Sequence, residues 1–223
     1  LGVGKRPRAA LGRAWWALPI AVATVLLARA LAPRLALFAT TSAAILRFPW
    51  IVDPAESVNF QSAYTLSEGG DPYRADPRGF VAAPYPPVYL ALAALTLRLG
   101  GLDLLGGRAI SLVAAVAVAL LGGWLVARET ANRPAGFLAG GLFLACGPTI
   151  VWAAFYRQDF LALAFGLAGL AWLPRWPGGR RAYGALPFFV LAVYTKQTAL
   201  AAPLAGCLYL LWRDARHGVR FAA

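Results

Sequence analysis

Long apolar runs broken by short basic clusters constrain this chain more than any other feature. Three of the runs read AWWALPIAVATVLLA, ISLVAAVAVALLGGWLV and AGFLAGGLFLACGPTIVWAA, Ala-, Leu- and Val-rich stretches close to the roughly 17–25 residues with which a helix crosses a bilayer. A lipid-embedded helix satisfies its own backbone polar groups, so such runs are stable there only as helices packed together. Hydrophobic residues make up 60% of the 223 residues and charged residues 13%, against about 45–50% and ~25% in soluble domains. The reading is an integral membrane protein of all-α class: a polytopic transmembrane helical bundle whose extracytoplasmic first loop carries short interfacial helices. Residues 1–223 form a single membrane module, within which 49–107 are an acidic outer loop plus an interfacial helix.

The net charge of +12 would suggest nucleic acid in a soluble protein. Here the basic residues punctuate apolar helices and no aromatic-basic module accompanies them, so no nucleic-acid partner is expected. Lys and Arg instead mark cytoplasmic turns. Lys5, Arg6, Arg8 and Arg13 place the N-terminus in the cytoplasm, and without a convincing cleavage site the first helix reads as a retained anchor. The apolar stretch Leu11 to Leu46 would be about 54 Å long at ~1.5 Å per residue, too long for one crossing, and it contains Arg29, Pro33 and Arg34. Either the crossing comes early and an interfacial segment follows, or the reverse, and both leave Trp50 outside.

Pro49 to Pro87 is polar and holds Asp53, Glu56, Glu68, Asp71 and Asp76, which makes it an outer loop. YPPVYLALAALTLRLGG is short and ends near Arg98, so it reads as an interfacial helix. Arg108 to Val126 then runs inward, Arg128 and Arg133 mark a cytoplasmic turn, and Ala135 to Ala154 runs outward. Phe160 to Leu173 returns to a basic loop with Arg175, Arg180 and Arg181. Ala185 to Tyr194 and Thr198 to Trp212 form a hairpin with Lys196 and Gln197 at its outer tip, ahead of the basic tail RDARHGVR. The chain is thus expected to be multi-pass in the cytoplasmic (inner) membrane, with membrane lipid around it and its active site facing outward.

That threading brings Asp53, Glu56, Arg157, Asp159 and Lys196 to one face. Charges at membrane level are costly and are usually paired or functional. DPAE also reads as a helix start, with Asp53 as cap, Pro54 first and Glu56 third, and the cap is compatible with chemistry. Lys196 on its own also fits a snorkelling lysine. Cys146 and Cys207 lie in apolar runs as small hydrophobes, His217 is the single histidine, and a His/Cys metal site cannot be assembled. No cofactor is expected, although a divalent metal held by carboxylates alone stays open. GFLAGG spaces glycines for close helix packing. No nucleotide-binding loop is present. A carboxylate beside cations at the membrane surface suits sugar transfer from a lipid-linked phosphate: the carboxylate takes the acceptor's proton, and Arg or Lys stabilises the departing phosphate.

The order of DPAESVNFQSAYTLSEGGDPY, YPPVYLALAALTLRLGGLDLLGGRAISLVAA, ANRPAGFLAGGLFLACGP, YRQDFLAL and YTKQTALAAPLA resembles the N-terminal membrane module of GT-C glycosyltransferases. Within them it is similar to the polyprenyl-phosphate-sugar enzymes related to protein O-mannosyltransferases and aminoarabinose transferases. The resemblance implies an inverting transferase moving a sugar from a polyprenyl-phosphate donor to a hydroxyl of a lipid, glycan or protein acceptor. It implies Asp53 or Glu56 as base, Asp159 as the second acidic position, and Arg157, Lys196 and Gln197 near the donor phosphate. Such enzymes show adjacent Asp-Glu in the first outer loop. Ala63 and Gly69 align Glu56 with that Glu and put Ala55 where the Asp stands, with Asp53 two residues earlier. They also continue through further helices, so the chain is expected to be an N-terminal part. The competing readings are a proton- or ion-coupled transporter, with ionisable groups near the midplane, and a noncatalytic membrane subunit, whose outer acids would be caps pointing apart.

Overall fold

The computed structural model describes residues 8–74, 82–175, 180–213 and 219–221. Among them helix is the regular element throughout: α1 (Arg8–Arg47), α2 (Pro54–Ser67), α3 (Pro87–Gly100), α4 (Leu105–Glu129), α5 (Arg133–Ala145), α6 (Gly147–Trp152), α7 (Asp159–Trp172), α8 (Leu186–Thr195) and α9 (Ala201–Arg213). Short 3-10 turns at Leu173–Arg175 and Arg180–Ala185 join α7 to α8. Leu18–Arg47 of α1 and the whole of α4 are long and apolar enough to cross a bilayer. At 14 residues, α3 and α7 are each about 21 Å long, short of the roughly 30 Å hydrocarbon core.

The stretch Leu11 to Leu46 lies within one helix, since α1 runs unbroken for 40 residues with Pro19 and Pro33 inside it. Each proline removes one ladder bond, while the Ala- and Leu-rich turns around it keep theirs. Conversely, Ala135 to Ala154 is not one helix. Cys146 adopts an extended conformation (φ −66°, ψ 136°), ending α5 and starting α6, with Pro148 in the first turn of α6. Proline is at home in a first turn and costly within a helix, which favours a fresh start here.

The centre of the molecule is the antiparallel pair α4 and α5. Their backbones touch: a Cβ on Gly123 would lie 2.6 Å from the Gly136 carbonyl oxygen, and one on Gly140 would lie 2.7 Å from that of Ala119. The turn between them is tight because Ala131 takes a left-handed conformation (φ 51°). There the Asn132 N–H donates to the Ala127 carbonyl at 3.1 Å, and the Asn132 side chain accepts from Ala135 N–H at 3.1 Å. One residue thus closes α4 and opens α5. Replacing Gly136 with Leu is expected to wedge the pair apart at a cost of about 1–3 kcal/mol or more. Thermal unfolding in detergent checks this, with Gly122→Leu as the control, since Gly122 faces open space.

α7 packs on the other side of α4 and supports α8 and α9. The Phe189 ring of α8 fits against Gly169 of α7 and Gly206 of α9, where a Cβ would meet it at 2.5 Å and 2.8 Å. α2 and α3 pair across a core of Ala63, Tyr89, Leu90, Ala93 and Leu97, closed by Leu104 and Tyr156. Arg98 of α3 donates from Nε to the Ser67 carbonyl at 2.7 Å. It therefore caps the negative end of α2. From Leu18 to Leu26 α1 is bare, with Leu18, Ile20, Val25 and Leu26 all strongly exposed. The C-terminal ends of α1 and α8 and the N-terminal ends of α2, α4 and α7 all meet at one end of the molecule, where polar contacts join them.

Candidate functional site

At that end the Arg108 side chain, in the first turn of α4, is fully buried against an equally buried Glu56 from α2. A cation in the first turn of a helix faces the positive end of the dipole, so its burial needs full compensation. Nε donates to Glu56 Oε1 and Nη2 to Oε2, each at 2.9 Å. Nη1 donates to the Ile45 and Phe48 carbonyls and the remaining Nη2 hydrogen to that of Trp50. All five guanidinium hydrogens are thereby used. The chain leaving α1 is wrapped around one side chain.

Glu56 is equally occupied. Oε1 also accepts from Tyr156 N–H at 2.7 Å and Oε2 from Val52 N–H at 2.9 Å. Burial pushes its pKa up. Hydrogen bonds from Arg108 and from the Val52 and Tyr156 backbone, with the attraction of the Arg108 charge, more than cancel that and hold it below 4.5. A carboxylate with a depressed folded pKa stabilises the fold above its unfolded pKa, and this is lost as pH falls through the folded value. The unfolding temperature is therefore expected to decline in acid below about pH 4.5, with a shallower decline in Glu56→Gln.

A second buried layer carries the same register into the 153–158 turn. Asn59 Nδ2 donates to the Tyr156 carbonyl and to Gln158 Oε1, both at 3.0 Å. Ser111 Oγ of α4 donates to the Arg157 carbonyl at 2.6 Å and stands 3.3 Å from Tyr89 Oη. The Tyr156 ring meets Phe60 and Tyr89 edge to face. Arg157 is thus held on both sides by buried neighbours while its own side chain turns outward over the Trp152 ring, 5.1 Å from the centroid.

Outside this layer lies a chain of four partly exposed charges. Arg157 Nη1 donates to Asp53 Oδ2 at 3.2 Å and Arg157 Nε to Asp159 Oδ2 at 3.1 Å, while Lys196 Nζ donates to Asp159 Oδ1. Their side chains are 20–30% exposed. Asp53 occupies the cap position of α2, as DPAE suggests, but makes no side-chain cap bond. The Glu56 carboxylate reaches back to Val52 N–H instead, which leaves Asp53 free to face Arg157. Asp159 opens α7 and Lys196 closes α8, so acid and base each sit at the helix end whose dipole favours them.

Of the residues singled out in the sequence, Asp53, Arg157, Asp159 and Lys196 therefore come together. Glu56 lies behind them, with both oxygens spent. Gln197 turns away: it is exposed, and its Nε2 donates to the Pro84 carbonyl at 3.0 Å, strapping the chain ahead of α3 to the tip between α8 and α9. Asp71 accepts from Tyr73 N–H, and Asp76 and His217 lie outside the described residues. Cys146 and Cys207 are free thiols. Among the described residues no three His, Cys, Asp or Glu side chains gather closely enough to hold a metal ion. The sequence reading missed Arg108 as a partner, although an arginine one turn into a strongly apolar helix signals a buried counter-ion. No protein-family model matches the chain, and neither does any curated protein or solved structure.

Proposed function

We propose that the chain is the membrane module of a GT-C-type glycosyltransferase that uses a polyprenyl-phosphate sugar. It would be multi-pass in the cytoplasmic membrane, with the converging helix ends facing outward. The observation that carries this reading is the Asp53–Arg157–Asp159–Lys196 chain, assembled from three distant segments and open to solvent. Asp53 takes the acceptor's hydroxyl proton as that oxygen bonds to the anomeric carbon from the face opposite the phosphate. The bond from that carbon to the phosphate oxygen breaks, and the polyprenyl phosphate leaves with the electron pair. Arg157 and Lys196, held ready by Asp159, meet the charge that builds on it. Asp53 turns toward Arg157 rather than capping its helix, which argues against a set of caps pointing apart.

The test is transfer of labelled sugar from a polyprenyl-phosphate donor pool by membranes containing the protein. Lys196→Gln is expected to raise the donor KM by about 10- to 100-fold, the worth of one charge-assisted hydrogen bond of ~1.5–3 kcal/mol. A wild-type protein that moves no sugar from any such donor overturns the reading.

A further inference from the structure

At the opposite end of the α4–α5 pair a groove of about 390 Å³ opens sideways, between these helices and Leu35 of α1. Gly123, Gly136 and Gly140, whose close approach holds the two helices together, lie along its lining, and Leu120 and Phe137, 68% and 81% exposed, form its lips. Its size falls within the roughly 300–1,000 Å³ of small-molecule sites. The groove is apolar along its length and basic at the turn between the helices. Arg133 lines that end, and Arg128 lies over the Trp124 ring at 5.5 Å from its centroid, with Trp124 itself in the groove wall. Glu129 is the one acid in the 128–133 turn, and among the described residues no carboxylate pairs with Arg128 or Arg133.

We infer that this groove binds an acyl chain of an anionic phospholipid, whose headgroup phosphate rests against Arg133 and Arg128. An apolar slot ending in arginines and an indole matches an amphiphile that is hydrocarbon along its length and anionic at one end, with the indole at headgroup depth. A zwitterionic lipid would bring an ammonium to the same two cations and gain less. The site is distinct from the charge chain beside Asp53 and requires only that the helix pair sit in lipid.

The test is thermal unfolding and native mass spectrometry of the purified protein in detergent, with phosphatidylglycerol or phosphatidylcholine of identical acyl chains added. Phosphatidylglycerol is expected to be retained on the order of tenfold more strongly, since each arginine near a headgroup contributes about a fivefold preference. Arg128→Gln with Arg133→Gln should erase the preference, and Leu120→Trp, at an exposed position, should lower retention of both lipids by filling the slot. Equal retention of the two lipids by the wild-type protein, or a preference that survives loss of both arginines, overturns the proposal. So does glycerol phosphate stabilising as well as the whole lipid, because the groove would then have no part. None of these readouts involves sugar transfer, so they fail or succeed independently of the catalytic reading.

Discussion

Replacing Arg108 with Leu is expected to destabilise the protein by about 3–5 kcal/mol, the cost of leaving a buried partner charge uncompensated. Against a typical total of ~5–15 kcal/mol, that is enough to deplete folded protein. The reason is in the contacts: Glu56 would keep only its two backbone donors, and the carbonyls of Ile45, Phe48 and Trp50 would lose their hydrogen bonds. Arg108→Lys should recover little, because a point charge with three donors cannot reproduce a planar fork that uses five. The double change Arg108→Leu with Glu56→Leu should cost less than the sum of the single changes. It removes the buried charges together but still leaves Val52 and Tyr156 N–H without their acceptor. Unfolding temperatures and monodispersity in detergent decide the matter. An Arg108→Leu protein that unfolds like wild type would show that the 45–50 segment is held elsewhere.

The sequence made the helices and their ends legible because apolar length and basic punctuation are local signals. Arg128 and Arg133 flank the α4–α5 turn, and α8 and α9 fall close to the stretches read from composition. The same signals missed the break at Cys146. Composition cannot weigh two prolines tolerated within α1 against one that restarts a helix at Gly147, because that balance depends on which backbone carbonyls find other partners. The charge chain was partly legible, since a few acids and cations bordering long apolar runs needed partners. The roles of Asp53 and Glu56 were not, because three residues apart on one helix start they look alike. Burial separates them, and burial is set by Arg108, which lies 52 positions from Glu56.

That separation leads to the second large effect. Asp53→Asn is expected to lower sugar transfer by about 10²- to 10⁴-fold, the usual contribution of a general base, while leaving the unfolding temperature almost unchanged. The carboxylate makes no cap bond, and its one ion pair, to Arg157 at 3.2 Å, is partly exposed. Such pairs contribute ~0–1 kcal/mol, so little of the fold depends on it. Glu56→Gln should behave the other way. Its amide would point hydrogens at Tyr156 N–H or Val52 N–H, both of which donate to the native carboxylate, so the fold weakens and any loss of transfer follows the loss of folded protein. Measured per folded molecule, transfer should fall sharply for Asp53→Asn and far less for Glu56→Gln. If folded Glu56→Gln is inactive and Asp53→Asn keeps full transfer, the base is the buried carboxylate, and the Arg108 pair must open during the reaction. If both keep full transfer, Asp159 is the carboxylate that remains, and Asp53 does no more than anchor Arg157.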